Sequence, residues 1–160
     1  MSLKNQVQLI TYVDRLANGG LDKLNTLLSH EFASLFGGVH LLPFFNPIDG
    51  EDAGFDPIDH TQVDKRIGTW SDIASIGATH DIMADLIVNH VSAQSLVFQD
   101  VLAQGSQSSY FDLIMTKEKV FGLEATQADI DKIYRPRPTP CFTPMTCATG
   151  EVMNVWTTFT

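Results

Sequence analysis

The amino-acid sequence predicts an α/β fold built on a parallel sheet. Three apolar segments with strand character alternate with two segments whose apolar residues recur at helical spacing, in the order βαβαβ. The last of these strands, residues 82–88, is apolar almost throughout, which is typical of a parallel strand covered on both faces. Such alternation indicates parallel strands joined by helical crossovers.

The first strand is expected over residues 7–12, where β-branched and aromatic residues predominate. Leucines at helical spacing then predict an amphipathic helix over residues 21–32, ended by the glycine pair 37–38. The second strand follows over residues 39–43. Thr69 or Ser71 can cap the second helix, whose apolar face carries Trp70, Ile73, Ala74 and Ile76.

The segment 44–68 shows no periodicity. A loop of this length inside a compact domain is usually functional or disordered, and its aromatic residues and prolines favour an ordered loop over the carboxyl end of the sheet. After His90 the alternation stops. A short helix over residues 95–102 and a strand over 152–159 are expected, and residues 91–160 are otherwise predicted to form an irregular insertion.

The composition is that of a globular protein with a real core, since 44% of the 160 residues are hydrophobic. A net charge of −9 argues against binding to nucleic acid or to an anionic membrane. No apolar run approaches the roughly 18 residues of a membrane span, and the polar N-terminus does not resemble a signal peptide. We therefore expect a cytoplasmic protein.

The loop 44–68 is the first candidate for function because it carries six carboxylates: Asp49, Glu51, Asp52, Asp56, Asp59 and Asp64. Carboxylates beside aromatic rings suit a sugar site, because they accept hydrogen bonds from hydroxyl groups while a ring packs on the apolar sugar face. Asp52 and Phe55 stand three residues apart, and Gly54 between them allows a tight turn. A solvated acidic loop is the alternative interpretation.

His90 is the second candidate. It follows Asn89 at the carboxyl end of the third predicted strand, where ligands bind in parallel α/β folds, although a purely structural histidine fits the pattern as well. His30 and His80 are expected at the surface. Cys141 and Cys147 have no zinc-ligand spacing, so two free thiols are expected.

A local cluster of basic residues is the third candidate. It contains half of the basic residues in an acidic chain, namely Lys117, Lys119, Lys132, Arg135 and Arg137. Such a cluster suits an anion such as phosphate, which arginine binds in bidentate fashion. Ordinary surface charge is the competing interpretation.

Several segments together resemble a known family. Residues 85–90 (DLIVNH) resemble the first conserved region of the α-amylase clan of glycoside hydrolases. Four further segments are similar, in order and spacing, to the sucrose phosphorylase family: residues 7–12, 38–45, 52–60 and 133–138. The resemblance covers essentially the whole chain.

The resemblance implies a (β/α)8 TIM barrel with an inserted B domain. Residues 1–90 would be the N-terminal part of the catalytic barrel, about its first three βα units, and residues 91–160 a truncated B-domain-like insertion. The implied reaction converts sucrose and phosphate into glucose 1-phosphate and fructose with retention of configuration. It implies no cofactor, no metal, no nucleic-acid or membrane partner, and a homodimer for the full-length protein.

The resemblance also implies roles for individual residues. His90 would bind the 6-hydroxyl group of the glucosyl unit, Asp52 would close the glucose pocket, and Phe55 would form an apolar wall. Tyr134 and Arg137 would lie at the mouth on the acceptor side, with Arg137 contacting phosphate.

The catalytic pair is absent from the sequence. A retaining mechanism uses two carboxyl groups about 5 Å apart, and the family's nucleophilic Asp, two positions after an Arg, has no counterpart because no Arg-x-Asp triplet occurs. We therefore expect an inactive N-terminal fragment of a phosphorylase, with Asp85 structural inside a buried strand. A phosphorylase or hydrolase for another α-glucoside of the same clan, and a non-catalytic truncated fragment, remain as alternatives.

Overall fold

The computed structural model describes residues 6–16, 19–48, 54–135 and 138–158. The chain divides into two units, residues 1–92 and residues 93–160.

The first unit is mixed α/β. In chain order its described part contains β1 (Gln8–Thr11), α1 (Val13–Leu16), α2 (Leu21–Ser29), β2 (Gly38–Leu41), β3 (Phe45–Asn46), β4 (Asp59–Val63), α3 (Trp70–Gly77) and β5 (Asp81–Ala84).

The main sheet of this unit has three parallel strands in the order β1-β2-β5. The predicted parallel sheet with helical crossovers is therefore present. The central strand β2 is the most deeply buried, with Val39 and Leu41 wholly inaccessible to solvent. Burial of an aliphatic side chain of this size contributes about 1.5–3 kcal/mol.

Two amphipathic helices supply the rest of the core. Leu21, Leu24 and Leu28 recur at helical spacing on one face of α2 and are all buried. In α3 the buried face carries Ile73 and Ile76. This helix is capped by Thr69, one of the two predicted capping residues, through a capping box in which the Thr69 hydroxyl and backbone N–H both donate to the Asp72 carboxylate.

The third predicted strand differs from the expectation. The strand β5 ends at Ala84, four residues earlier than predicted, and Leu86 and Val88 are 83% and 79% exposed. The prediction of cover on both faces is wrong because β5 is an edge strand, and no strand in the described parts of the chain pairs with its free side. Asp85 consequently lies after the strand, not inside it.

Two other segments also depart from prediction. The first helix ends at Ser29 and not at residue 32, and Phe32 instead stacks edge-to-face on Phe36 with ring centroids 5.6 Å apart. The loop 44–68 is more regular than expected, because β3 and β4 pair there as a short antiparallel ladder.

The second unit also contains both helices and strands. Its described part has α4 (Leu96–Gln104), α5 (Lys117–Phe121), α6 (Gln127–Ile130), β6 (Phe142–Thr146), β7 (Val152–Trp156) and 3-10 turns at Gly105–Gln107 and Phe111–Leu113. Ser95 caps α4 by accepting a hydrogen bond from the backbone N–H of Phe98, close to the predicted start of this helix.

An antiparallel hairpin of β6 and β7 organises this unit, and its core includes Phe98, Val101, Ile114, Met153 and Val155. The prediction of a largely irregular segment is therefore wrong. The strand β6 escaped the sequence pattern because it contains Pro144, which a two-stranded ladder tolerates since each strand has a free edge.

Other expectations for single residues have mixed outcomes. Cys141 and Cys147 are free thiols, and both are buried. His30 is exposed as expected, whereas His80 is only 9% exposed, and the prediction of a surface position for it is wrong. None of the helices in the described ranges is long and apolar enough to cross a membrane.

Candidate functional site

The carboxyl ends of β2 and β5 lie side by side because the two strands are parallel and paired from Gly38 to Leu41. His40 and Asp85 meet at this edge, with 3.1 Å between the His40 Nε2 atom and the Asp85 Oδ2 atom. Both side chains are partly buried. The Asp85 carboxylate therefore orients the His40 ring, which agrees with a structural role for Asp85.

His90 lies six residues beyond the end of β5 and is partly buried. Its Nε2 atom lies 2.5 Å from the backbone carbonyl oxygen of Phe55. Because a carbonyl oxygen only accepts hydrogen bonds, His90 carries a proton on Nε2 and donates it. The loop that bears Phe55 is thus fastened directly to the histidine that the strand-end pattern singled out.

Phe55 follows a tight turn at Gly54, which is buried and has a φ of +86°. A Cβ atom at this position would lie 3.1 Å from the carbonyl oxygens of Ile48 and Pro43. Both the left-handed backbone and the close approach of neighbouring main chain therefore require glycine. The turn predicted at Gly54 is present, and the half-buried residue Phe55 that follows it contacts His90 through its main-chain carbonyl oxygen.

The Asp64 side chain holds this loop through hydrogen bonds within it. Its side chain is only 2% exposed and forms an ion pair with Arg66. The Oδ1 atom accepts from the backbone N–H and the Nε–H of Arg66, each at 2.9 Å, and Oδ2 accepts from the backbone N–H of Ile48 at 3.1 Å. Hydrogen bonds from the Arg66 side chain lower the pKa of Asp64 to about 2, so the carboxylate is ionised at neutral pH.

Of the five remaining loop carboxylates, Asp56 and Asp59 lie among the described residues, and Asp56 is partly buried. Asp59 accepts from the hydroxyl and the backbone N–H of Thr61, and these hydrogen bonds lower its pKa. Asp49, Glu51 and Asp52 lie outside the described residues. The position expected for Asp52 beside the glucose pocket is therefore not visible, whereas Asp59 and Asp64 bind protein groups.

On the second unit, Tyr134 is 90% exposed, and Arg137 lies outside the described residues. Arg135, which lies between them in the sequence, binds other parts of the protein through its guanidinium group. Its guanidinium donates to the backbone carbonyls of Thr157 and Thr158 at 2.7 and 3.1 Å, and to the Thr139 hydroxyl at 3.1 Å. Arg135 therefore fastens the Tyr134 segment to the end of β7.

The basic cluster is mostly engaged with protein acceptors. Lys119 donates to the carbonyls of Phe111 and Ile114 and to the Asp112 carboxylate, and Lys132 forms an ion pair with Asp129 at 2.9 Å. The prediction of an anion site treated these charges as one group. In the structure, Lys119 and Lys132 donate to different protein acceptors.

Sequence analysis missed the roles of Asp64 and Arg135. The Asp-x-Arg spacing of Asp64 and Arg66 was a usable signal for the ion pair, whereas nothing in the sequence around Arg135 indicates its carbonyl partners. The described residues hold no group of three or more His, Cys, Asp or Glu side chains that is able to bind a metal ion.

Comparison with curated proteins gives matches along the whole chain. A sucrose phosphorylase of Agrobacterium vitis is 55% identical over 158 residues, and one of Bifidobacterium adolescentis is 51% identical over the same length. A glucosylglycerol phosphorylase of Marinobacter adhaerens is 41% identical over 160 residues. The chain spans about a third of the length of each of these curated relatives, 32%, 31% and 32% respectively. No family model matches.

Solved structures give a consistent result. The crystal structure of a sucrose 6F-phosphate phosphorylase from Thermoanaerobacter thermosaccharolyticum matches with a TM-score of 0.88 and 44% identity, over 99% of this chain and 32% of the other. A trehalose-6-phosphate hydrolase of Bacillus licheniformis shares the fold alone, with a TM-score of 0.66 and 17% identity over 95% of this chain and 28% of the other.

These matches confirm the resemblance that the sequence motifs indicated. Over 99% of its length the chain is similar in sequence to a segment that makes up about one third of two sucrose phosphorylases, and in structure to about one third of a sucrose 6F-phosphate phosphorylase.

Proposed function

We propose that this chain is the N-terminal part of a retaining α-glucoside phosphorylase that converts sucrose and phosphate into glucose 1-phosphate and fructose. The observation that carries the proposal is the identity of 55% and 51% to two sucrose phosphorylases over 99% of the chain. The His90–Phe55 contact agrees with it, because it joins two residues that the resemblance assigns to the glucosyl site.

In this proposal residues 1–90 supply the first three βα units of a (β/α)8 barrel, and residues 91–160 form part of an inserted B domain. The three parallel strands and the exposed side of β5 support it, because an edge strand with apolar neighbours suits a sheet that continues into further strands. The nucleophile and the acid/base would then come from downstream strands. The complete protein is proposed to be a homodimer.

The site residues keep their proposed roles. His90 binds the glucosyl 6-hydroxyl group, Phe55 packs against the apolar face of the sugar, and Asp52 accepts from sugar hydroxyls. Tyr134 and Arg137 lie on the acceptor side, where the exposure of Tyr134 suits contact with an incoming fructose or phosphate.

A second candidate is a phosphorylase for another glucoside, since the 41% identical relative is a glucosylglycerol phosphorylase. The two candidates share the glucosyl side of the site and differ on the acceptor side. The chemistry of the acceptor side is set by groups such as Tyr134 and Arg137 and by residues outside this chain.

The test uses the protein encoded by the complete reading frame that contains this chain. It is incubated with phosphate and either sucrose or glucosylglycerol, and glucose 1-phosphate and free glucose are both measured. We expect glucose 1-phosphate from sucrose. Preference for glucosylglycerol would favour the second candidate, and free glucose released at the same rate without phosphate would indicate a hydrolase. The fragment 1–160 is expected to release neither product because it lacks the catalytic carboxylates.

A further inference from the structure

We propose that Asp64 is a positioning residue for the glucosyl site: it holds the main chain of Ile48, against which the turn at Gly54 packs, so that Phe55 stands beside His90. This inference rests on the proposed function, which assigns Phe55 and His90 to the sugar. No step in it requires Asp64 to touch the substrate.

The first step is the carboxylate itself. Asp64 is buried, and a buried carboxylate is tolerated only when its oxygens accept hydrogen bonds and its charge is balanced. The positive charge of Arg66, in the same segment of chain, balances the negative charge of the Asp64 carboxylate. The bond to the backbone N–H of Ile48 is different, because it reaches 16 residues back and ties two separate segments together.

The second step is the contact between Ile48 and Gly54. A Cβ atom on Gly54 would lie 3.1 Å from the Ile48 carbonyl oxygen and 3.4 Å from its Cα atom, so the two main chains are in direct contact. The turn at Gly54 also lies against the carbonyl oxygen of Pro43. Because main chain encloses the turn on both sides, a displacement of Ile48 is expected to displace the turn as well.

The third step leads to the site. Phe55 follows Gly54 directly, and its carbonyl oxygen accepts the hydrogen bond from His90 Nε2. A shift of the Gly54 turn therefore changes both the direction of the Phe55 side chain and the geometry of the His90 ring. Angstrom-scale displacement of positioning groups is enough to reduce catalysis strongly.

A separate contact makes the inference testable without loss of the fold. The backbone N–H of Asp64 donates to the Phe44 carbonyl at 2.9 Å, and this bond does not depend on the side chain. Asp64→Asn keeps the size of the side chain and one carbonyl acceptor, while Asp64→Ala removes both acceptors. The displacement of the loop is therefore expected to be larger in Asp64→Ala than in Asp64→Asn. Asp64→Asn is sufficient for the test if Asp64→Ala does not fold.

The experiment is carried out on the complete protein with 15N-labelled histidine. The Nε2–H resonance of His90 is assigned by its loss in His90→Asn. Ile76→Val serves as the matched control, because it removes one methylene group from a fully buried residue of α3, which costs about 0.5–1.5 kcal/mol, and its aliphatic side chain forms no hydrogen bond to the Asp64 carboxylate. Unfolding midpoints are measured for all variants.

We expect the His90 Nε2–H proton to move upfield and to exchange with solvent about tenfold faster in Asp64→Ala, with a smaller change in Asp64→Asn, in line with a weakened hydrogen bond. The KM for the donor sugar should rise several-fold while kcat changes less, and Ile76→Val should alter neither quantity. An unchanged His90 resonance in a folded Asp64 variant, or the same change in Ile76→Val, would overturn the inference. If the wild type releases no glucose 1-phosphate, the proposed function fails, whereas the His90 spectra still decide whether Asp64 positions the loop.

Discussion

His90 Nε2 donates a hydrogen bond to the carbonyl oxygen of Phe55 across 35 residues of sequence, with 2.5 Å between the two atoms. The contact fixes the orientation of the ring and determines which nitrogen carries the proton. It also brings a strand-end histidine and a loop residue with an aromatic ring into one arrangement, and an aromatic face is one of the groups that recognise a pyranose.

Replacement of His90 tests this arrangement most simply. His90→Gln in the complete protein should lower kcat/KM for sucrose by about tenfold to a hundredfold. The flexible amide does not hold its hydrogen-bonding atoms where the imidazole nitrogens lie, so the hydrogen bonds of a partly buried group to the loop and to the sugar are both weakened. Initial rates of glucose 1-phosphate release measure the effect. His30→Gln is the matched control at an exposed position of the same unit, and an equal loss in that variant would show that the effect of His90→Gln is not specific to the site.

Asp64 should make stability dependent on acid pH. Its pKa of about 2 in the folded protein lies below the ordinary value of 3.8, so its ionised form stabilises the fold above the unfolded pKa, and this contribution is lost as pH falls through the folded pKa. The contribution is roughly 2 kcal/mol at neutral pH. The stability difference between wild type and Asp64→Asn should therefore narrow between about pH 5 and pH 2.

Urea unfolding at several pH values, followed by the fluorescence of Trp70 in the first unit, measures that difference. Trp156 of the second unit is replaced by Phe in all variants so that it does not contribute to the signal. Asp112→Asn is the control, because its side chain is 98% exposed and should show little dependence of this kind. A difference in unfolding free energy between wild type and Asp64→Asn that stays constant down to about pH 2 would contradict the lowered pKa of Asp64.

Arg135 should protect the segment that carries Tyr134. Arg135→Ala removes three hydrogen bonds to Thr139, Thr157 and Thr158, and we expect chymotrypsin to cleave after the exposed Tyr134 at least several-fold faster. Arg135→Lys should give an intermediate rate, because lysine keeps the charge but not the planar fork. Lys132→Gln, which loses only a surface ion pair with Asp129, should be cleaved at the wild-type rate. Equal rates for all variants would show that Arg135 does not hold this segment.

The exposed side of β5 should make the isolated chain self-associate. Leu86 is 83% exposed beside an edge strand, so Leu86→Glu should reduce the self-association of 1–160 in light scattering without lowering its unfolding midpoint. In the complete protein the same change should destabilise by several kcal/mol, because further strands would bury that position. Leu123→Glu, on the second unit at 89% exposure, is the control. A complete protein indifferent to Leu86→Glu would contradict a continuing barrel.

The fold of the first unit followed from short-range pattern. Leucines at helical spacing located α2, and the capping residue Thr69 located the start of α3, because both signals depend on neighbours within one turn of helix. Strand length was less predictable. Residues 86–88 are apolar enough for a strand, but whether they form one depends on a partner strand, which local sequence does not reveal.

The sequence indicated candidate site residues but not the hydrogen bonds that connect them. Position after a strand end indicated His90, and glycine chemistry indicated the turn before Phe55. The partners of Asp64 and Arg135 are backbone groups of distant segments, and backbone carbonyls and N–H groups leave no trace in the sequence. For the same reason the sequence did not distinguish Asp64, which is buried, from Asp59, which accepts hydrogen bonds from Thr61 within β4.

The most direct test of the account is 31P nuclear magnetic resonance of the complete protein incubated with sucrose and inorganic phosphate. The account predicts a growing phosphate-ester signal of α-glucose 1-phosphate, matched by an equal amount of fructose and weakened in His90→Gln. A protein that is folded and yet gives no glucose 1-phosphate from sucrose, or gives the β-anomer, would contradict it.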